Sequence, residues 1–411
     1  MIHYATISGW AIDRGVYHVR CLGLALTFAS LLWLQVHPSY AQTIAPQPRP
    51  AATTTQRTAP QPLSLSARLR QKTNRDTVTI ISSDPFGGFL YTAYDIAAVL
   101  ERKAKFRVIP VVGKGGAQNL KDVLYLSGID MGIMHPHVIK HFNKTGEIGK
   151  NVDRRIAYIT PLFADELHII ARPELKSFDD LRGKRVNFGE LGSGTQISMR
   201  IIFEALGMQV EEVNLGQADA FEMMKRGELD ATTCTCPKPL RSVRNIPKEN
   251  GFKFLSVPYA PELEETFLPA VLTSVDYPNL IAQGEQIETI AVQSILGVYN
   301  WKSTKTARYR KIAKFVRLFF DNIDEFRQPP RQPKWRSLNI AAKVKGLKRF
   351  PPAQKWLEER ATAARSRQTL TSTTLPGSTG QSRKSQSLSN NEQEQLFKQF
   401  LQWVQRQPNK N

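Results

Sequence analysis

Apolar positions between residues 78 and 134 switch repeatedly between two spacings. Three short apolar runs are typical of buried strands: 78–82, 106–112 and 131–134. Between them apolar residues recur at helical spacing, at Leu90, Ala93, Ala97 and Leu100 and again over residues 119–126. Strands that alternate with helices favour a parallel sheet covered by helices. The pattern therefore predicts an α/β fold.

A second α/β unit is expected to begin near residue 171. Residues 178–188 suggest a short helix, a turn and a strand, and further helix and strand segments follow. Extended runs at 269–275 and 288–298 return the chain to the first sheet in this interpretation. We expect two lobes joined by two crossings, with residues 76–170 plus 275–328 in lobe 1 and residues 171–274 in lobe 2. Ligands bind beyond the carboxyl ends of strands in open α/β sheets, so the cleft between the lobes is the expected site.

The two ends of the chain differ from this middle part. Residues 1–41 combine basic residues, an apolar run and small residues at Ser39 and Ala41, as a cleaved export signal does. A buried helix or an N-terminal anchor are the alternatives. Residues 42–75, rich in Pro, Ala, Gln and Thr, indicate a flexible leader. Residues 308–326 predict one amphipathic helix, and residues 329–411 a basic, partly disordered extension that ends in a short amphipathic helix.

The formal net charge of +20 indicates an anionic partner. Residues 301–360 hold 17 Lys and Arg against 5 Asp and Glu. That segment is expected either to contact an acidic partner or an anionic lipid surface, or to be a solvated face that keeps the protein soluble. Because the export signal places the mature protein in the periplasm, nucleic acid is not an expected partner.

Three glycine-rich turns each follow a strand and open a helix, at 84–88, 113–119 and 192–195. Helix N-termini carry unpaired N–H groups and a positive dipole end, so such turns can bind a carboxylate, phosphate or sulfate. The pattern at 192–195 is neither a Walker A loop nor a dinucleotide-binding fingerprint. A capped helix start without a ligand is the alternative.

Cys234 and Cys236 flank one threonine. The pair can form a small-ring disulfide or remain two thiols, and the sequence leaves this open. No His/Cys cluster of suitable spacing accompanies it, so we expect no metal and no cofactor.

The order of these motifs resembles the TAXI-type (TRAP-associated extracytoplasmic immunogenic) solute receptors. The resemblance covers about residues 77–325 and is carried by the turns at 87–92, 113–120 and 192–195, by residues 181–186 and 223–231, and by Tyr277-Pro278. It implies a type II-like periplasmic-binding-protein fold, a glutamate-like or dicarboxylate ligand, and delivery to the membrane subunits of a TRAP-type transporter.

The chain departs from that family pattern at several positions. The usual Gln-Ser-Asp after the Gly-Ile strand is His135-Pro136-His137, and the usual arginine after Gly-Ser-Gly-Thr is Gln196. A tyrosine of the first turn is Leu90 and a cleft serine is Gly116. Losing an arginine and gaining histidines changes the ligand that the resemblance implies. An extended chain would turn both histidines to one face, whereas Pro136 could end the strand and separate them.

We expect the cleft to bind a small organic anion, either a carboxylate or an amino acid, without catalysis. Phe89 and Tyr91 are assigned to the carbon skeleton of the ligand. The polar ends are assigned to Gln118, Asn119, Ser193, Gly194 and Thr195. The same site is expected to include Asp84, Gly88, Gly115, His135, Gln196 and Tyr277.

Two other functions remain open on the sequence. One is an enzyme on the same fold that binds phosphate at 192–195, with His135 or Asp84 as its base. The other is a sensor or interaction protein that works through the basic segment and the terminal helix.

Overall fold

The computed structural model of the protein describes residues 62–373, and the side chains as far as residue 366. Within this range, the residues from Leu63 onward belong to one compact unit. The helix α1 (Leu65–Arg75) occupies part of the predicted flexible leader and buries no side chain. Its first turn is capped by Ser64, whose hydroxyl accepts from the N–H of Ala67. The predicted export signal lies outside the described residues.

The first half of the sheet confirms the predicted alternation. Its elements are β1 (Thr77–Ile81), α2 (Gly88–Ala104), β2 (Arg107–Val111), α3 (Gly116–Tyr125) and β3 (Met131–Met134). Strand β1 pairs in parallel with both β2 and β3. The helices α4 (Pro136–Thr145) and α5 (Val152–Arg155) follow. Pro136 occupies the first turn of α4, where its missing N–H costs nothing.

Strand β4 (Ile156–Ala171) is much longer than the run at 166–171 that hydropathy indicates. The second half of the sheet follows it: β5 (Arg185–Asn187), α6 (Gly194–Ala205), β6 (Glu211–Val213), α7 (Gln217–Lys225), β7 (Ala231–Cys236), the short helix α8 (Arg241–Arg244), β8 (Lys253–Phe254) and β9 (Leu268–Thr273). The order of parallel pairing, β7-β5-β6, mirrors the first half.

Two long strands join the halves. Strand β10 (Gln286–Tyr299) pairs with β3 near its end and with β9 near its start. It runs antiparallel to β4, and the described strands follow the order β2-β1-β3-β10-β4-β7-β5-β6. Separate apolar clusters lie on either side, one around Phe315 and Phe319 and another around Phe203 and Phe188. The fold is therefore an α/β fold with two lobes, as expected, and the lobe boundaries remain a prediction.

The segment after residue 306 is more ordered than the sequence suggests. It contains α9 (Ala307–Asp321), α10 (Ile323–Phe326), a 3-10 turn at Pro333–Ser337, β11 (Lys348–Arg349) and α11 (Pro351–Thr373). The predicted single helix over 308–326 is thus interrupted at Asn322. Trp335 and Phe350 are buried in the core of the first half, and β11 pairs with β4. Residues 333–353 are part of the lobe rather than an appendage to it.

The basic segment is partly neutralised within the fold. Arg308 and Lys311 both pair with the buried Asp130, at 3.1 and 2.9 Å. Lys334 pairs with Glu166 on β4. These residues serve the fold, so the excess charge of 301–360 overstates what the surface offers to a partner. No helix of residues 62–373 is both long and apolar enough to cross a membrane.

Candidate functional site

The three glycine turns meet around one partly enclosed cavity of about 60 Å³. The turn after β1 and the turn after β2 come from the first half, and the turn after β5 comes from the second. Eight of the predicted site residues line this cavity: Asp84, Gly88, Phe89, Gly115, His135, Ser193, Gly194 and Thr195. The volume suits a few waters or a compact ligand, since one water occupies roughly 10–15 Å³ on this scale.

Glycines allow the two halves to touch. A Cβ on Gly116 would lie 2.3 Å from the Cα of Gly194, and a Cβ on Gly88 would lie 2.4 Å from the Cγ of Pro237. The N–H of Gln118 donates to the carbonyl of Gly192 at 3.1 Å, which joins the second and third turns directly. The cleft is therefore closed in this structure, and side chains at these glycines are incompatible with closure.

Positive helix ends surround the cavity. Helices α2, α3 and α6 begin after Gly87, Gly115 and Ser193, and only Ser193 caps with its side chain, by accepting from the N–H of Gln196. The first N–H groups of a helix have no partner within it, and the dipole makes that end positive. Each such end contributes about 0.3–1 kcal/mol to anion binding when exposed.

Charged side chains at the cavity are mostly acidic. Asp84 and Glu190 line it, and Lys114 is its single lysine or arginine among the described residues. Lys114 lies 3.8 Å from Glu190, so this pair bridges the two halves. Burial raises the pKa of Asp84, and the N–H of Phe86 opposes that rise by donating to its carboxylate. An anion bound here relies on helix ends and neutral donors more than on a fixed cation.

His135 is the one imidazole that lines the cavity in the described part of the chain. Its Nε2 lies 2.8 Å from the Oδ2 of Asp165, and both side chains are buried. Its Nδ1 has no hydrogen-bond partner among the described residues. The ring packs 5.3 Å from that of Phe89. A buried polar atom without a partner, at the wall of a cavity, is where a ligand atom can bind.

His137 does not line the cavity. Because Pro136 starts α4, the chain turns after His135, and the Nε2 of His137 lies 2.8 Å from the hydroxyl of Ser198 on α6. Pro136 ends the strand, as one of the two expected arrangements had it, yet the two rings remain 5.3 Å apart. Of the two, His135 lines the cavity.

Two predicted site residues support the framework behind the cavity. Asn119 is fully buried, and its amide donates to the carbonyls of Ser82 and Ile133 at 2.7 Å. It holds the ends of β1 and β3 together. Tyr277 is also fully buried; its hydroxyl lies 2.6 Å from the Nε2 of His168 and accepts from the N–H of Leu240.

Three further predicted residues lie beside the cavity. Tyr91 borders a separate surface groove and stacks under Arg241. The side-chain oxygen of Gln118 accepts from the N–H of Lys114, which fixes the second turn. Gln196 accepts from the N–H of Gly192 and so shapes the third. These side chains position the turns.

Several lining residues escaped the sequence-based reasoning. Thr235 on β7 is buried and its hydroxyl has no partner among the described residues, while its N–H donates to the hydroxyl of Thr195. Cys234 and Cys236 line the cavity beside it and form a disulfide. These positions could have been predicted, because they lie at the carboxyl end of a strand that faces the cleft. Asp165 could not have been predicted in this way, because it lies inside β4, whose predicted start was residue 166.

The site contains no metal centre: among residues 62–373, no group of three His, Cys, Asp or Glu side chains could hold an ion. The geometry is that of a two-lobed binding protein with a partly enclosed cavity between the lobes, lined by both apolar and polar groups.

The comparisons with known proteins agree with that class. The sequence model of the NMT1-like family matches residues 82–360, and the chain belongs to this family. The match extends to residue 360, so it includes the C-terminal segment that packs into the first lobe.

Solved structures of solute-binding proteins resemble the chain more distantly. MatC from Rhodopseudomonas palustris with bound malate is 15% identical with a TM-score of 0.44, covering 70% of this chain and 97% of that one. The periplasmic binding protein BugD is 14% identical with a TM-score of 0.40, covering 69% and 93%. SsuA from Xanthomonas axonopodis pv. citri, an alkanesulfonate-binding protein bound to MOPS, is 13% identical with a TM-score of 0.37, covering 61% and 75%. Likenesses this distant tell nothing of what this chain binds.

Proposed function

We propose that the protein is a periplasmic receptor that closes its two lobes around a small organic anion, either a carboxylate or an amino acid. The observation that carries this proposal is the partly enclosed cavity lined by the N-termini of α2, α3 and α6 and by His135, whose Nδ1 has no partner among the described residues. The weak attractions of the three helix N-termini for an anion add together in this cavity. They are stronger there than in bulk water, because the cavity shields the ligand from solvent. The protein acts by binding, not by catalysis.

Compactness is the first property expected of the ligand. The cavity of about 60 Å³ favours a ligand smaller than a nucleotide or a sugar. The wall formed by Phe89 and Leu240 offers contact for a short carbon skeleton. The hydroxyls of Ser193, Thr195 and Thr235 offer hydrogen bonds to its polar end.

Delivery to the membrane subunits of a TRAP-type transporter is the finer part of the proposal. It rests on the resemblance of the glycine turns to TAXI-type receptors, and the periplasmic location rests on the export signal at residues 1–41. Co-purification of the protein with membrane subunits of that transporter class, dependent on added ligand, tests the partnership.

The binding proposal is tested on mature protein purified without denaturation. Native mass spectrometry identifies a retained solute, and thermal shift screens acetate, pyruvate, lactate, malate and glutamate. We expect one small anion to stabilise the protein, and Thr195→Val to reduce that shift because it removes a cavity hydroxyl. Thr145→Val is the matched control, since Thr145 is exposed at the end of α4. Identical melting with and without every solute contradicts a receptor function.

A further inference from the structure

The pairing of His135 with Asp165 gives the cavity a titratable donor that the glycine turns alone lack. We propose that His135 takes up a proton when the anion binds, so that its Nδ1–H becomes the charged donor to the ligand. The inference rests on the proposed receptor function and specifies how the site recognises one anionic group without an arginine.

Asp165 decides which nitrogen faces the ligand. Its Oδ2 lies 2.8 Å from the Nε2 of His135, so the proton on that nitrogen is held by the carboxylate. The Nδ1 is then the atom left for the cavity, and it has no other partner among the described residues. In a neutral imidazole Nδ1 accepts a hydrogen bond, whereas in the imidazolium it donates. Protonation therefore converts this wall of the cavity from an acceptor to a cationic donor.

The N-terminus of α6 and a second imidazole flank the ring of His135. A Cβ on Gly194 would lie 3.0 Å from Nδ1, so this nitrogen faces the positive end of α6. The ring of His137 lies 5.3 Å away on the other side. His135 is only 1% exposed, so a bound anion would meet it away from water.

A bound anion changes the electrostatic potential at the Nδ1 of His135. Its negative charge lies beside Nδ1 and opposes the potential of the helix ends, and Asp165 stabilises the imidazolium from behind. The charged or titratable groups beside the imidazole are His137 from α4, Asp165 from β4, and Asp84, Lys114 and Glu190 from the turns that line the same cavity. One anionic charge and one proton enter together, so the net charge of the closed cavity stays constant. The proton comes from solvent.

This coupling also restricts the ligand. The group at Nδ1 has to be an acceptor that stays anionic, such as a carboxylate or a sulfonate. A cationic amine at this position gains nothing from the imidazolium. A second carboxylate would face Asp84 and Glu190 with only Lys114 to offset it, so a single anionic group fits better than a dicarboxylate.

Calorimetry measures the proton directly. The wild-type protein is titrated with acetate, pyruvate, lactate and malate in triethanolamine and in Tris, two cationic buffers whose ionisation enthalpies differ. Above the pKa of the free imidazole, we expect the observed enthalpy to depend on the buffer with about one proton taken up per anion, and affinity to fall about tenfold per pH unit. The monocarboxylates should bind more tightly than malate.

Variants assign the proton to His135. His135→Asn places an amide near the position of Nδ1, so we expect weaker binding with no proton uptake and a flat pH dependence. His141→Asn changes a histidine of the same helix that does not line the cavity, and should leave proton uptake unchanged. Asp84→Asn removes a cavity carboxylate whose pKa burial raises, and should retain the uptake by His135.

Three results bear on the inference differently. Binding by wild-type protein with an enthalpy independent of buffer overturns it and leaves the receptor function intact. Uptake that is lost in Asp84→Asn and retained in His135→Asn also overturns it, and assigns the proton to the aspartate. Failure of wild-type protein to bind any of the four carboxylates overturns the receptor proposal and this inference together. The wild-type titrations need no variant to fold.

Discussion

Adding one methyl group at Gly88 should hinder closure of the two lobes without lowering the stability of the fold. Gly88 begins α2, and an added Cβ would lie 2.4 and 2.5 Å from the Cγ and Cδ of Pro237, on the opposite side of the cleft. Carbon atoms in contact are normally about 3.5–4.0 Å apart, so the two turns have to separate by roughly 1 Å. The proline ring is rigid and cannot rotate away.

The cost of this substitution should fall on the closed state alone. Overpacking of this kind costs about 1–3 kcal/mol, which corresponds to roughly a 5- to 150-fold weaker affinity. In an open cleft the methyl group has no neighbour across the lobes, so the free energy of unfolding without ligand should stay near the wild-type value. Gly88→Ala therefore separates the two properties.

Calorimetry with the anion that stabilises the protein most, combined with small-angle scattering with and without that anion, tests this expectation. Gly216→Ala is the matched control, because its Cβ would lie 3.5 Å from Glu190, an ordinary contact in the same cavity. Wild-type affinity and wild-type compaction in Gly88→Ala would refute the argument that these turns meet when ligand binds.

Three further expectations concern stability. Asn119→Ala should lower the free energy of unfolding by about 1–3 kcal/mol, because two buried strand-end carbonyls lose their donor; denaturant unfolding measures it, and an unchanged midpoint contradicts the framework role. Trp335→Ala should cost about 3–5 kcal/mol, since the indole is buried and donates to Asp95 at 2.7 Å; tolerance of this change in a thermal melt would place the 329–353 segment outside the fold. Burial lowers the pKa of His168 to about 4. Its neutral form is therefore favoured by folding, and stability should fall by about 3 kcal/mol as the pH drops from 6.5 to 4; His168→Gln should flatten that part of the profile, measured by denaturant unfolding across pH.

The hydrophobic pattern predicted the α/β alternation and the turns because both are local signals. Side-chain direction was harder. Asn119 follows a glycine turn, which suggested a ligand contact, yet it lies one helical turn before Val123 on the buried face of α3. Tyr277 was assigned to the cleft because of the resemblance, but it packs beneath it. A polar residue on an apolar helix face is more often a framework donor.

The C-terminal segment was missed for a different reason. Prolines at 329–352 prevent regular periodicity, so Trp335 and Phe350 are single anchors in irregular chain. Pattern-based reasoning depends on repetition, and single buried aromatics provide none. Asp165 was missed because a buried carboxylate inside a strand is recognised only from its partner.

Strand β11 and its flanking aromatics give the chain an order of assembly. The core of the first lobe unites Val78 with Phe350 and Ala353, so its contacts span almost the whole described chain. The core that contains Leu167, Phe203 and Val257 is far more local. Non-local contacts slow folding, because loop closure precedes the gain from packing. The first lobe therefore cannot complete its core until β11 and the start of α11 have been synthesised, so a nascent chain shorter than about 353 residues leaves this core unfilled.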